Sequence, residues 1–324
     1  MYDFAHDADP QAAGYGAPPL LLTAAEAFRF PVELTSSLVS DLVLPPRRSV
    51  DGEPRPVLVL PGFMADDPLT ARLRGHLQRQ GYAAHGWGLG RNVGLTDTIV
   101  DGLLERFDEV AATAPGAPVS LVGWSFGGLL ARWTAHRRPG QVRQVVCLGS
   151  PWRAEGERTR ATRMFERAAI KHGLSDRARD VVDELRRPLD VPLTAIWSRT
   201  DGIAHWRGCR VGDAVDAPAP VEDVDVPSSH VGLVSNPLAL AVLDDRLVAG
   251  QSQAEETRVL LSFRSEEGLY CRAYSGSSGG GIACHDDEGW KGEAVRKGSE
   301  GASTDYRMAG AGDAEILALA QDMA

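Results

Sequence analysis

The chain has 324 residues, 43% of them apolar, which is enough for a sizeable core in one large domain or one domain with a small appendage. Its formal net charge of −10 argues against a nucleic-acid binder, because phosphate contacts need clustered Lys and Arg. Basic stretches such as 177–187 are interleaved with acids and read as solvated helix faces.

In chain order, residues 1–20 are rich in Ala, Gly, Asp and Pro and read as a disordered leader. The apolar stretch 19–44, broken by Pro31, predicts one or two helices laid on the body. Residues 56–60, Pro-Val-Leu-Val-Leu, form a short apolar run stopped by Pro61-Gly62, the pattern of a buried parallel strand. A helix is predicted over 69–80, a strand over 82–86 and a helix over 96–114. Then come a strand at 119–123, a helix at 126–136 and strands at 142–148, 193–197 and 221–226, with a last helix from Pro237. Strands alternating with helices predict a parallel sheet covered on both faces. The segment 151–190 is too long for a simple crossover and carries Arg and Glu at helical spacing, so it reads as a helical cap. The domain is expected to span 21–250. A polar linker follows at 251–256, and then a small α+β unit at 257–324. That unit is predicted with strands at 270–274 and 281–284, a loop at 275–281 and a closing helix at 310–323.

No window holds the ~18 apolar residues of a membrane span, and the N-terminus lacks the basic and apolar regions of a secretory signal. The cytoplasm is therefore the expected compartment. Four cysteines are too few and too scattered for a disulfide scaffold. Cys147 reads as a small core residue. Cys271 and Cys284 could pair in an oxidising compartment, but reduced thiols are expected.

The segment Gly123-Trp124-Ser125-Phe126-Gly127 closes an apolar strand and opens a helix. That is the setting of a nucleophile elbow, where small neighbours admit a serine held on a strained turn. A serine hydroxyl needs a base. His230, in Pro-Ser-Ser-His-Val-Gly, follows the last strand at the carboxyl edge of the sheet, where sites in open α/β sheets form. His172 falls in the cap, His285 in the tail, and His205 reads as a substrate-loop residue. Asp201, directly after the strand 193–197, is the candidate to orient His230; Asp180, Asp183 and Asp190 are alternatives, and turn capping is the bland role for any Asp before Gly. An oxyanion hole needs two N–H donors, expected from Phe126 and from Phe63 in the turn Pro61-Gly62-Phe63-Met64. Met64, Trp124 and Trp152 are candidate substrate contacts. No phosphate-binding loop is present, Gly86-Trp-Gly-Leu-Gly90 lacks dinucleotide spacing, and His and Cys do not recur at zinc-ligand intervals; no metal is expected.

With Pro61-Gly62-Phe63, Gly-Trp-Ser125-Phe-Gly-Gly, Ser198-Arg-Thr-Asp201-Gly and Ser229-His230 in order, residues 54–247 resemble the α/β-hydrolase superfamily, most closely its bacterial lipase- and esterase-like members. The resemblance implies a mostly parallel sheet flanked by helices and acyl transfer to water through an acyl-serine, with no cofactor. Many lipases carry His-Gly at the oxyanion turn; Pro61-Gly62 here leaves the backbone donor in place and weighs against a triacylglycerol substrate. The tail is similar to the C-terminal segment of some bacterial anti-sigma factors, in Ser262-Phe-Arg264, Gly268-Leu-Tyr-Cys-Arg-Ala273, Gly281-Ile-Ala-Cys284 and Gly289-Trp290. Such proteins' membrane span and sigma-binding region have no counterpart, so the resemblance implies only a small ligand- or partner-binding role.

The reading is a serine carboxylic-ester hydrolase acting on a small-molecule or lipid ester, with no nucleic-acid partner. An acyltransferase using the same residues and a non-catalytic ligand-binding protein are the alternatives.

Overall fold

A computed structural model describes residues 15–43, 55–152, 159–211, 218–252, 258–265, 269–276, 279–286 and 289–297. The chain divides into two compact units, Met1–Val248 and Ala249–Ala324.

In the first unit six strands form one sheet: β1 (Pro56–Leu60), β2 (Ala83–Gly86), β3 (Val119–Trp124), β4 (Val142–Leu148), β5 (Leu193–Trp197) and β6 (Val221–Asp225). Their order is β2-β1-β3-β4-β5-β6, and every neighbouring pair is parallel. The apolar runs are explained by burial on both faces. Side chains alternate along β1, so Leu58 and Leu60 join one core with Phe107 and Leu130, while Val57 and Val59 join another with Leu73 and Leu77. Helices α2 (Asp67–Arg79), α3 (Asp97–Ala112), α4 (Phe126–Arg137) and α8 (Pro237–Ser252) flank the sheet. Helix α3 starts where Thr96 caps it, its side chain accepting from the Ile99 N–H, with Asp97 in the first turn.

The 19–44 stretch is a single helix, α1 (Leu20–Val43), that continues through Pro31. The predicted leader is described only from residue 15. There Tyr15 stacks on His205 at 5.5 Å, and the Pro18 carbonyl accepts from Arg160. The 151–190 insertion holds two helices, α5 (Thr162–His172) and α6 (Ala178–Leu185), and a short α7 (Trp206–Cys209) follows β5. Arg132 of α4, 1% exposed, fastens this insertion by donating to the carbonyls of Trp152 (2.5 Å) and Leu185 (2.6 Å).

After the end of α8, the described residues of the second unit form four antiparallel strands: β7 (Arg258–Arg264), β8 (Tyr270–Gly276), β9 (Gly279–Asp286) and β10 (Gly289–Lys297), in the order β10-β9-β8-β7. The expected loop at 275–281 is therefore mostly strand, with Gly276 opposite Gly279 in a hairpin register. The helix expected at 310–323 lies outside the described residues. Cys271 and Cys284 face one another across β8 and β9 and are disulfide-bonded, which corrects the expectation of free thiols. Their strand register brings them together, a relation that sequence separation does not reveal.

Candidate active site

Because the strands are parallel, the loops at their carboxyl ends gather along one edge of the sheet. β1 has β2 on one side and β3 on the other, so the chain changes direction across the sheet there, where open α/β sheets form crevices. The turn after β1 carries Phe63, the turn after β3 carries Ser125, the loop after β5 carries Asp201 and the loop after β6 carries His230.

Ser125 has φ 55° and ψ −124° at the start of α4. Among the described residues only Met64 and Ser125 are non-glycine residues with positive φ, a state that costs ~1–3 kcal/mol and is kept where the surroundings enforce it. The enforcement is visible. The Ser125 N–H donates to the Leu148 carbonyl at 2.8 Å. A Cβ on Gly123 would lie 2.3 Å from the Gly127 carbonyl oxygen, and one on Gly127 would lie 2.3 Å from that of Leu60. Helix and strands can approach the serine this closely only because both positions are glycine.

Asp201 and His230 are 2% and 4% exposed, and Asp201 Oδ2 lies 2.6 Å from His230 Nδ1. Asp201 Oδ1 also accepts from the N–H groups of Ile203 and Ala204, each at 2.8 Å. Capping the turn and holding the histidine are thus one arrangement of one carboxylate. Burial lowers the His230 pKa, but the charge and hydrogen bond of Asp201 and the charge of Glu26 outweigh it and leave the group above its ordinary value.

Phe126 opens α4, so its N–H has no carbonyl one turn back within the helix. The Phe63 turn is held by Asn92, which is fully buried. Its side-chain amide donates to the Pro61 carbonyl at 2.8 Å, its backbone carbonyl accepts from the Met64 N–H at 2.7 Å, and its backbone N–H donates to the Ala65 carbonyl at 2.8 Å. The rings of Phe63 and Phe126 meet edge to face at 6.4 Å. Phe165 of α5 lies 5.3 Å from the first and 5.4 Å from the second. Three partly exposed aromatic rings therefore cluster where the turns after β1 and β3 meet α5.

The three expected substrate contacts fare differently. Met64 is partly exposed in the turn after β1. Trp124 is corrected: it is 6% exposed, packs in the core and donates its indole N–H to the His230 carbonyl at 3.0 Å, so it supports the histidine loop. Trp152 has the Arg132 guanidinium 3.7 Å over its ring, so one face is covered. Of the alternative acids, Asp183 is exposed and paired with Arg186 at 2.9 Å, and Asp180 lies on α6. Among the described residues no three His, Cys, Asp or Glu side chains are grouped to hold a metal ion, and no helix is long and apolar enough to cross a membrane.

Asn92, Phe165 and Glu26 were not singled out from sequence. Asn92 sits in a polar, glycine-rich stretch, and only its ability both to donate and to accept hinted at a turn-holding role. Phe165 and Glu26 sit on helices whose spacing carries no sign of the loops they reach.

No family model matches the chain, and no curated protein matches it. Among solved structures it is similar to that of the metagenome-derived lipolytic enzymes LipS and LipT, with 17% identity over 61% of this chain and 93% of the other and a TM-score of 0.45. It is also similar to a soluble variant of monoglyceride lipase from Saccharomyces cerevisiae, with 14% identity over 62% and 87% of the two chains and a TM-score of 0.46. Mouse alpha/beta hydrolase domain-containing protein 10 matches with 17% identity over 63% and 92% and a TM-score of 0.42. In its own sheet order, its strand–serine–helix turn and the strand ends that bear the acid and the histidine, the chain has the α/β-hydrolase fold.

Proposed function

We propose that the protein is a serine hydrolase of carboxylic esters. The observation that carries this reading is the conjunction of a serine held at φ 55° on a strand-to-helix turn with a buried Asp201–His230 pair at the same edge of the sheet. With Nδ1–H donated to Asp201, His230 Nε2 is the basic nitrogen. It takes the Ser125 proton as Oγ attacks the ester carbonyl, then returns that proton to the leaving alcohol as the acyl-serine forms. Water, deprotonated by the same nitrogen, then attacks the acyl carbonyl; the bond to Ser125 Oγ breaks, the acid leaves, and His230 returns the proton to Oγ. The Phe63 and Phe126 N–H groups hold the oxyanion, and losing one such donor costs ~2.7–4 kcal/mol of transition-state stabilisation.

The rings of Phe63, Phe126 and Phe165 favour an acyl group with apolar bulk, because burying each CH₂ against them gains ~0.8 kcal/mol. The test is turnover of p-nitrophenyl esters of increasing chain length by the wild type and by Ser125→Ala. Rising kcat/KM with chain length, abolished in the variant, supports the reading. A sharp preference for acetate overturns the apolar acyl site, and hydrolysis that persists without Ser125 overturns the nucleophile. Product transferred to an added alcohol in preference to water would make it an acyltransferase.

A further inference from the structure

Helix α1 lies outside the sheet, yet it is bonded to both loops that bear the acid and the base. Thr23, Glu26, Arg29 and Glu33 recur at three- and four-residue spacing and so share one face. Thr23 Oγ1 donates to the Gly202 carbonyl at 2.7 Å, and Arg29 donates to the Thr200 carbonyl at 2.7 Å and hydroxyl at 2.8 Å. Glu33 accepts from the Ser229 N–H at 2.7 Å and from its hydroxyl. Glu26 joins the two loops in one carboxylate: Oε1 accepts from the N–H groups of Gly202 and His230, each at 2.8 Å, and Oε2 accepts from Val231 at 3.2 Å.

The helix is inverted with respect to an ordinary surface helix. Glu26 is 7% exposed, whereas Leu21 and Phe28 on α1 are 81% and 79% exposed. Apolar residues outward and a carboxylate inward is the reverse of what burial alone selects, so the inward polar face is kept for what it binds. The loops are shaped to receive it. A Cβ on Gly202 would lie 2.4 Å from the Leu22 carbonyl oxygen, and one on Gly232 would collide with the Glu33 carboxylate.

We propose that Glu26 is a positioning residue of the Ser125 site: its carboxylate fixes the Asp201 loop against the His230 loop and supplies negative charge behind the imidazole. The proposal rests on the reading of Ser125, Asp201 and His230 given above. Among the described residues, the charged groups bonded to the histidine loop or beside it are Asp201 from the loop after β5 and, from α1, Glu26, Glu33 and Arg29, the last two paired at 3.7 Å. Arg29 and Glu33 offset each other, so Glu26 is the charge that adds to that of Asp201.

Glu26→Gln separates charge from shape, because an amide oxygen still accepts from Gly202 and His230 while its NH₂ opposes the Val231 N–H. In full-length protein whose cooperative melting has been verified, Glu26→Gln lowers plateau kcat about tenfold with KM nearly unchanged. It also moves the acid limb of the kcat/KM profile to lower pH. Glu26→Asp keeps the charge with a shorter reach, so its kcat falls while the limb stays in place. Wild-type kcat and an unmoved limb in Glu26→Gln overturn the proposal and leave the ester-hydrolase reading intact. A wild type that hydrolyses no ester and takes up no fluorophosphonate overturns both. If Glu26→Gln does not fold, Glu26→Asp decides: reduced kcat with the wild-type limb supports the positioning role, and unchanged kcat overturns it.

Discussion

Asp201 Oδ2 and His230 Nδ1 lie 2.6 Å apart with both side chains almost wholly enclosed, so the proton between them is held away from water. The neutral imidazole is the proposed base, and its pKa is raised above the ordinary 6.5. The predicted kcat/KM profile therefore rises with pH along a limb centred above that value, and activity is lost as pH falls through it. The same shift has the opposite sign for stability. A raised folded-state pKa contributes stability that is full below the unfolded value and is lost as pH rises through the folded one. Kinetic profiles and urea midpoints across the same pH range check both. Asp201→Asn moves the limb downward and lowers kcat by roughly 10⁴: the amide oxygen stays with the Ile203 and Ala204 N–H groups, so the NH₂ faces Nδ1 and holds the imidazole in the wrong tautomer.

Asn92 holds the turn that bears the Phe63 N–H. Asn92→Ala leaves the buried Pro61 carbonyl without its donor, a loss of about 1–3 kcal/mol in stability. With the Phe63 N–H as the proposed oxyanion donor, loosening its turn makes kcat fall more than KM rises. Asn92→Asp places an acceptor against that carbonyl and is predicted to be worse in both respects. Chemical denaturation alongside steady-state kinetics measures the pair of effects.

Arg132 is a buried cation whose described acceptors are two carbonyls, and burial brings its pKa down to about 10. Arg132→Ala strips the donors from Trp152 and Leu185 and leaves a void, with a predicted loss of about 3–5 kcal/mol. Arg132→Lys also fails to rescue fully, because one ammonium cannot reproduce the planar fork that spans both carbonyls and stacks on Trp152. Urea titrations of both variants would show it.

The Cys271–Cys284 bridge joins residues 13 apart in sequence. Closing a loop of this size contributes ~3 kcal/mol in the chain-entropy account. Reduction is predicted to speed proteolytic cleavage within 258–297, read by mass spectrometry of the fragments. Equal cleavage with and without reductant would show that the four strands hold without the bridge.

Much of the sheet was legible because β1, β3, β4 and β5 are buried on both faces, so mostly apolar runs mark them, stopped by Pro61-Gly62 after β1 and by Gly149 after β4. Ser125, Asp201 and His230 could be selected for the same reason: each follows one of these strands or the edge strand in turn. The second unit was less readable. β7 begins and ends in Arg and β10 carries Lys, Glu and Arg, so neither shows a continuous apolar run, and the glycines of β9 read as a loop until β8 supplies their partner. Asn92, Phe165 and Glu26 escaped notice because their roles come from contacts far away in the chain. Glu26 reaches residues 176 and 204 positions away, and no local pattern encodes that meeting.

The most direct test of the central claim is the intact mass of the protein after exposure to a fluorophosphonate. A single adduct on the peptide containing Ser125, absent in Ser125→Ala and slowed in Asp201→Asn, is the predicted result. No adduct on the folded wild type, or one that persists in Ser125→Ala, would contradict it.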